Sequence, residues 1–324
     1  MNTRKRGACI ALLALIASTA SAGDGGRGGD AGAFLRMGLD ARSLALGGAT
    51  PALFGDGYAL YANPAGLVYL NGRWGGASLR SMSLDRRLTY LGYAQSIGPE
   101  NPAPGQMRGG LGLGWISSGV SDIDGRDFSG QHTDMLWAGE HAFCFGFALR
   151  PHPKIAFGVT GKLVYSRMGG VQDDGGALSA RGFGFDLGVM LRPIENLTLG
   201  AVVKDLRTAY TWDTQEIYEM GTQTVDDFPK RAELGAVWTH APLGLLLSLG
   251  AEKIDLRPWR LHGGVAYQLL KMATLRAGLR NGRPAFGFGV KLIKGNAHIL
   301  LDYALVTDSV APSPDHLVSW SVAF

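Results

Sequence analysis

Only 18% of the 324 residues are charged, and only two are cysteine. Soluble domains carry roughly 25% charged residues, so this chain is poor in the material of a solvated surface. An apolar fraction of 46% excludes a disordered chain. After residue 22 no apolar run suits a membrane helix, which needs about 20 residues. The uncharged stretch 234–251 is broken by His240, Pro242 and three glycines, and reads as two strands about a turn. Catalytic signatures are missing as well. There is no G-x-S-x-G, H-E-x-x-H, P-loop or C-x-x-C. The expectation is a protein that is not an enzyme, with no metal site and no cofactor. The runs at 110–114 and 182–184 resemble nucleotide loops only superficially, because glycine at alternate positions of a strand explains them. The seven histidines are scattered, and His132 near Asp134 and His141 near Glu140 read as loop or lumen residues.

Residues 1–22 read as a secretory signal peptide. A basic start (Arg4, Lys5, Arg6) precedes an apolar run from Ala8 to Ala17 and then Ala20-Ser21-Ala22. Its removal takes away Cys9, leaves Cys144 as the only cysteine and excludes an intrachain disulfide. It also lowers the formal charge of +4 to about +1, so the charge balance gives no reason to expect a nucleic-acid partner.

Glycine is abundant, with 49 residues, about twice the usual 7%. The apolar residues alternate. Phe143, Phe145, Phe147 and Leu149 are separated by Ala142, Cys144, Gly146 and Ala148. Phe183, Phe185, Leu187, Val189 and Leu191 are separated by Gly184, Asp186, Gly188 and Met190. Period two means strands with one apolar face and one small or polar face. In a soluble sandwich the second face would carry Lys, Glu, Thr and Ser. Here it carries Gly, Ala and Ser with scattered charges, which is the pattern of a transmembrane β-barrel. The predicted class is all-β, a transmembrane antiparallel β-barrel of about 14 strands with a small N-terminal plug in the lumen. The strands fall near 73–81, 86–97, 107–117, 134–149, 154–167, 181–192, 197–206, 231–240, 244–253, 259–269, 273–281, 284–293, 296–306 and 316–324. Short connectors interleave with long polar ones at 118–133, 168–180 and 207–230, which puts both termini in the periplasm. The last of these holds Asp213, Glu216, Glu219, Asp226 and Asp227 with Tyr210, Trp212 and Tyr218. The final strand ends with Trp320, Val322 and Phe324 at alternate positions. This resembles the signal read by outer-membrane barrel assembly machinery.

The barrel takes residues 73–324, which leaves 23–72 as a plug or hatch segment. A short helix is expected over 41–46, ended by Gly47 and Gly48. Asp56 can cap a second turn near Tyr58 to Tyr61. Asn63-Pro64 then turns the chain.

The motif made by Asp40, Ala41, Arg42, Gly47, Gly48 and Ala49, then Asp56 and Tyr61, then Asn63, Pro64, Ala65, Gly66 and Leu67 resembles the PorV/PorQ family of outer-membrane proteins. That family is related to the FadL-type long-chain fatty-acid transporters. The sequence departs from the family pattern at Gly57, where members often carry a second acid, and at Ala62, where Trp is common. The resemblance implies a bacterial outer-membrane location and a plug folded into the lumen. It also implies that a hydrophobic ligand meets the plug and leaves sideways through a gap in the wall.

Lys162, Asp186, Lys204, Arg276, Arg280 and Lys291 fall on the small or polar faces. They can neutralise one another and anchor the plug through Asp40 or Asp56, or attract an anionic head group. Two functions are carried forward. One is passive passage of hydrophobic or amphipathic, fatty-acid-like small molecules, which needs an apolar pocket between plug and wall. The other is a PorV-like component of a type IX-like secretion or outer-membrane assembly system, with secretion partners. The remaining partners expected are outer-membrane lipid, a hydrophobic small-molecule ligand and the barrel assembly machinery.

Overall fold

The computed structural model describes residues 30–48, 51–100, 106–170, 177–214, 221–255, 257–295, 297–307 and 314–324. The expected signal peptide, the segment 23–29, and Glu216, Tyr218 and Glu219 of the acidic loop lie outside the described residues. Strands run along the chain as β1 (Arg73–Ser81), β2 (Arg87–Ile97), β3 (Arg108–Arg126), β4 (His132–His152), β5 (Ile155–Gly169), β6 (Ala177–Ile194), β7 (Leu197–Leu206), β8 (Ala209–Asp213), β9 (Gln223–Asp227), β10 (Arg231–His240), β11 (Leu245–Ile254), β12 (Arg260–Leu270), β13 (Ala273–Arg280), β14 (Arg283–Lys294), β15 (Ala297–Val306) and β16 (Asp315–Ala323). Each of β1 to β6 pairs antiparallel with its successor, β7 pairs with β10, the series continues to β16, and β16 pairs with β1. The wall is therefore a closed ring of fourteen strands, and closure removes every free sheet edge.

Alternation decides which face meets lipid. Phe143, Phe145, Phe183, Leu234, Leu249, Leu261, Leu275 and Phe286 point outward and are exposed. Their neighbours Ala142, Ala148, Met190, Ala285 and Ala304 point inward and are buried. An apolar exterior of this extent is stable only against hydrocarbon. Trp320 and Phe324 also lie on this exposed outer face, and Val322 is half-buried on it.

Strand extends into all three expected long loops. Within 118–133 the pairing of β3 and β4 continues to Arg126 and His132, which leaves a turn of 127–131. Within 168–180, β5 reaches Gly169 and β6 starts at Ala177. Within 207–230 the extra hairpin of β8 and β9 docks on β6, with Ala180 opposite Trp212 and Arg181 opposite Thr211. Most of 121–126 and all of 223–227 lack the apolar alternation because they are exposed on both faces, whereas Tyr210 of β8 is buried against Phe228. Cross-strand pairing satisfies their backbone groups without that pattern. The tight turn between β13 and β14 uses Asn281 and Gly282 at φ 49 and 78, the two positive φ values of a type I′ hairpin.

Candidate functional site

The segment from Asp30 to Gly72 runs inside the ring. Its first ordered piece is a 3-10 turn, Ala33–Arg36, with Phe34 and Leu35 buried. Helix α1 (Ala41–Ala45) follows. Asp40 starts it, with its carboxylate oxygens accepting the N–H groups of Arg42 at 3.0 Å and Ser43 at 3.1 Å. Gly47 and Gly48 end it as a Schellman turn. The N–H of Gly48 donates to Ser43 O at 2.8 Å and that of Gly47 to Leu44 O at 3.0 Å. Gly47 stands at φ 81, and a Cβ there would lie 2.4 Å from Leu279 O, so both conformation and space call for glycine. The apolar side of α1 packs Ala41, Leu44 and Ala45 on Ala285, Ala304, Val306 and Leu317 of the wall.

Burial, reinforced by the neighbouring Asp56, pushes the Asp40 carboxyl up to about 8. An ordinary aspartate titrates near 3.9. A folded-state value above the unfolded one contributes its full stability below about pH 4, and that stability is lost as pH rises to about 8. Proteolysis of the plug should therefore be faster at about pH 8.5 than at about pH 5, and Asp40→Asn should flatten the difference. Equal pH dependence in the two chains would refute this.

Asp56 pairs with Arg42 at 3.0 Å within the plug. It also accepts the Tyr58 N–H at 3.0 Å and so caps a turn ahead of helix α2 (Ala59–Ala62), whose own N-cap position is Tyr58. Tyr61 donates its hydroxyl to Leu35 O at 3.0 Å and ties the two halves of the plug together. Asn63 then does three things. Its side-chain oxygen accepts the Ala65 N–H at 3.1 Å and starts the 3-10 turn Pro64–Tyr69. Its amide donates to Pro51 O at 2.8 Å inside the plug, and to Val189 O at 3.1 Å on wall strand β6. Pro64 fits the first position of the turn because no N–H is needed there. Ala65, Gly66 and Leu67 are buried, and Ala65 and Leu67 pack with Leu60 against Ala148, Ala156 and Met190.

The wall receives this segment through missing side chains. A Cβ on Gly158 would lie 2.3 Å from Ala65 N, one on Gly188 2.0 Å from Asn63 Oδ1, and one on Gly200 1.9 Å from Pro51 O. Much of the glycine excess is thus the seat of the plug. The polar anchors differ from the expectation. Asp40 and Asp56 do not bind the lumenal cations. Instead wall cations donate to plug carbonyls: Lys204 to Tyr61 O at 2.9 Å, Arg231 to Leu35 O at 3.3 Å, Arg280 to Arg36 O at 3.3 Å and Arg108 to Leu70 O at 2.6 Å. Ser319 and Ser321 accept the N–H groups of Ala41 at 3.1 Å and Gly57 at 3.3 Å. Carbonyl acceptors carry no signal in a sequence, so these contacts could not be read from it.

Many of the charged residues on the inner face neutralise one another, whereas Arg280 has only the plug carbonyl named above. Lys162 lies 2.7 Å from Asp186 and also binds Asp205. Arg276 binds Asp302 at 2.6 Å, Arg80 binds Asp315 at 2.6 Å, and Glu233 lies 3.4 Å from Lys204 and 3.1 Å from Arg231. Lys291 is exposed and sits apart from this network. Sequence reasoning missed Asp205, Arg231, Glu233 and Asp302. Asp302 and Glu233 stand on small or polar strand faces, a signal that was there to be used.

Beside Lys162, Lys204 and Tyr61 a cavity of about 20 Å³ remains between plug and wall. That holds one water and no ligand, and its lining is mixed, so the apolar plug–wall pocket expected there is not what this cavity provides. The expected gap in the wall is closed too among the described strands, and what stands beside the plug turn is a local irregularity. The ladder of β6 and β7 slips between Phe185 and Leu187 and again between Leu191 and Ile194. At the upper slip Asp205 takes φ 63 and the chain leaves the wall. The short regular run between the slips pairs Val189 with Ala201, and Asn63 contacts the carbonyl oxygens of both, at 3.1 and 3.4 Å. Outside the same run is a groove of about 590 Å³, lined by Val189, Leu191, Leu199, Leu234, Leu249 and Leu261 among others.

No family model and no curated protein matches the chain. Solved structures do. The toluene transporter TbuX of Ralstonia pickettii is 13% identical, over 89% of this chain and 98% of that one, with a TM-score of 0.60. The CymD monoaromatic hydrocarbon channel is 12% identical over 89% and 98%, with a TM-score of 0.62. A FadL homologue of Pseudomonas aeruginosa is 12% identical over 88% and 97%, with a TM-score of 0.61. At these identities the likeness is one of fold. The fold, with its exposed apolar exterior, is that of a bacterial outer-membrane β-barrel.

Proposed function

We propose that the protein passes hydrophobic or amphipathic small molecules, fatty-acid-like in character, across the outer membrane by displacement of its plug. One alignment carries the reading. The Asn63-Pro64 turn, the slipped seam of β6 and β7 and the outer apolar groove lie in line through a wall patch whose inner face is glycine. The groove has the size of a small-molecule site and almost no polar lining. The resting state is shut, and a ligand that shifts the turn removes the Asn63 amide from the seam. The structural neighbours described as a toluene transporter and a hydrocarbon channel support a hydrophobic cargo. The motif ending in Asn63 to Leu67 supports placing the chain beside the PorV/PorQ proteins, and the terminal Trp320, Val322 and Phe324 support delivery by barrel assembly machinery. Exposed apolar residues of the described loops such as Leu84, Phe128 and Trp259 stand singly and favour no secretion partner.

A tether tests the plug's part. A Cβ on Gly112 would lie 3.3 Å from Leu60 Cβ, near the spacing of a disulfide. In a Cys144→Ala background, Leu60→Cys with Gly112→Cys joins plug to wall. Uptake of labelled fatty acid by cells carrying the oxidised tether should fall to that of cells lacking the protein, and reductant should restore it. Uptake indifferent to oxidation would overturn the proposal.

A further inference from the structure

Most lumenal cations nearer the long-loop end have carboxylate partners, Arg280 being held instead by Arg36 O, but three arginines at the short-turn end have none. Arg108 on β3 and Arg150 on β4 are direct register partners facing the lumen, a like-charge pair that destabilises a sheet. They are 4% and 8% exposed. Arg108 donates to Leu70 O at 2.6 Å and Ser96 Oγ at 2.7 Å, and Arg150 to Glu100 O at 2.6 Å. Arg192 on β6 donates to Glu195 O at 3.3 Å. Among the described residues no carboxylate lies within ion-pair distance of any of the three. The Nε atoms of all three are buried without a hydrogen-bond partner, and so is the Tyr69 hydroxyl. The guanidinium carbons of Arg150 and Arg192 lie 5.4 and 5.3 Å from the centre of the Tyr69 ring, and that of Arg192 lies 5.1 Å from the Phe54 ring. The Tyr69 and Phe54 rings are themselves 5.3 Å apart.

Three cations gathered without an ion pair, with the exposed Glu100 carboxylate acting on Arg108 only at longer range, are costly to hold together, and a bound anion lowers that cost. We infer that Arg108, Arg150 and Arg192 with Tyr69 form an anion site at the periplasmic mouth of the lumen, taking the carboxylate or phosphate head group of an amphipathic molecule. Guanidinium forks match both groups, and Phe54 and Tyr69 supply an apolar floor beside them. The charged head would then be held at the foot of the plug while the apolar part rests on the plug's aromatic rings. The amphipathic nature of the occupant rests on the transport reading; the anion site rests on the arginines alone.

Titration calorimetry on the full-length protein in neutral detergent tests it with four probes: decanoate, decyl phosphate, decanol and inorganic phosphate. Decanoate or decyl phosphate should bind at least roughly tenfold more tightly than decanol and than inorganic phosphate, with affinity falling as salt rises. Which of the two binds tighter identifies a fatty acid or a phospholipid as the source. Arg192→Gln, on the more open side of the cluster, should weaken that binding roughly tenfold. Arg150→Gln should raise the unfolding temperature by relieving the Arg108 repulsion, a readout that needs no ligand. Equal binding of decanol, or Arg192→Gln binding like the parent, would overturn the site. Inorganic phosphate binding as tightly as decyl phosphate would overturn the amphipathic occupant. Lost binding with unchanged cellular uptake would overturn the site's part in transport and leave the site, whereas intact uptake with no binding of any probe would overturn the site and leave transport.

Discussion

Gly188→Leu should turn a silent barrel into a conducting one. Gly188 faces the lumen on β6, where a Cβ would lie 2.0 Å from Asn63 Oδ1 and 3.0 Å from Pro64 Cδ. Neither atom belongs to a long flexible chain that can swing away. Asn63 is fully buried, and Pro64 starts the turn that carries Ala65 to Leu67 into the wall. Leucine therefore expels the turn, and the Asn63 bonds to Val189 O and Ala65 N go with it. Overpacking of this kind costs about 1–3 kcal/mol, and each buried hydrogen bond lost adds about 1 kcal/mol. With the turn displaced, the inner faces it covers carry Gly158, Gly188 and Gly200 beside the small Ala148 and Ala156 and the single larger Met190, which leaves space for water and ions. Planar-bilayer recordings should show no conductance steps for the parent and repeated steps for the variant. Gly161→Leu is the control, because a Cβ there meets no atom closer than 3.8 Å, that of the Phe183 ring, and Gly161 points toward lipid. A conducting parent, or silence in both variants, would show that the Gly188 seat does not hold the plug.

The wall was legible because lipid and lumen impose opposite demands on successive residues. Phe143 and Phe145 meet hydrocarbon while Cys144 and Gly146 face a crowded interior, so a period of two survives along the strand. The hairpin of β8 and β9 was not legible for the complementary reason. Residues 223–227 are exposed at every position, so no face imposes a pattern on them. The turn at Asn63-Pro64 announced itself through residue types that favour turns. Its attachment did not, because the acceptors are main-chain oxygens of Val189 and Ala201, far along the chain. The charge network was half legible. Lys162 and Asp186 lie on predicted inner faces, but Asp205 reaches Lys162 only because it takes φ 63 at the end of β7 and breaks the alternation there. Lys291 shows the reverse case. It keeps the parity of Gly287 and Gly289, yet it is exposed near the end of its strand, as are Leu292, Ile293 and Lys294. The opposition of Arg108 and Arg150 depends on the register of β3 against β4, which no spacing in the sequence displays.

Lys162→Met should be the most destabilising single change in the wall. The lysine side chain is 5% exposed, and its partners Asp186 and Asp205 are 8% and 0% exposed. Methionine fills a similar volume but leaves two buried carboxylates facing one another without a cation. Removing one partner of a buried ion pair costs about 3–5 kcal/mol, well above the value of an exposed pair. The three groups also hold the upper slip of the seam, because the Asp205 N–H donates to Asp186 Oδ1 at 2.9 Å where the β6–β7 ladder shifts. The damage should therefore be local as well as global. Thermal unfolding in detergent should shift strongly downward, and amide exchange should quicken first at 187–191 on β6. Adding Asp205→Asn and Asp186→Asn to Lys162→Met removes the unpaired charges and should recover a large part of the loss. If Lys162→Met unfolds with the parent, or if the neutral triple variant is no better than the single one, the ion triad is not what closes the seam. A seam held by a desolvated charge triad is strong against heat yet needs only the displacement of one short plug turn to lose its Asn63 brace. Under the proposed transport role, that combination keeps the wall shut between passages and lets it yield to a ligand.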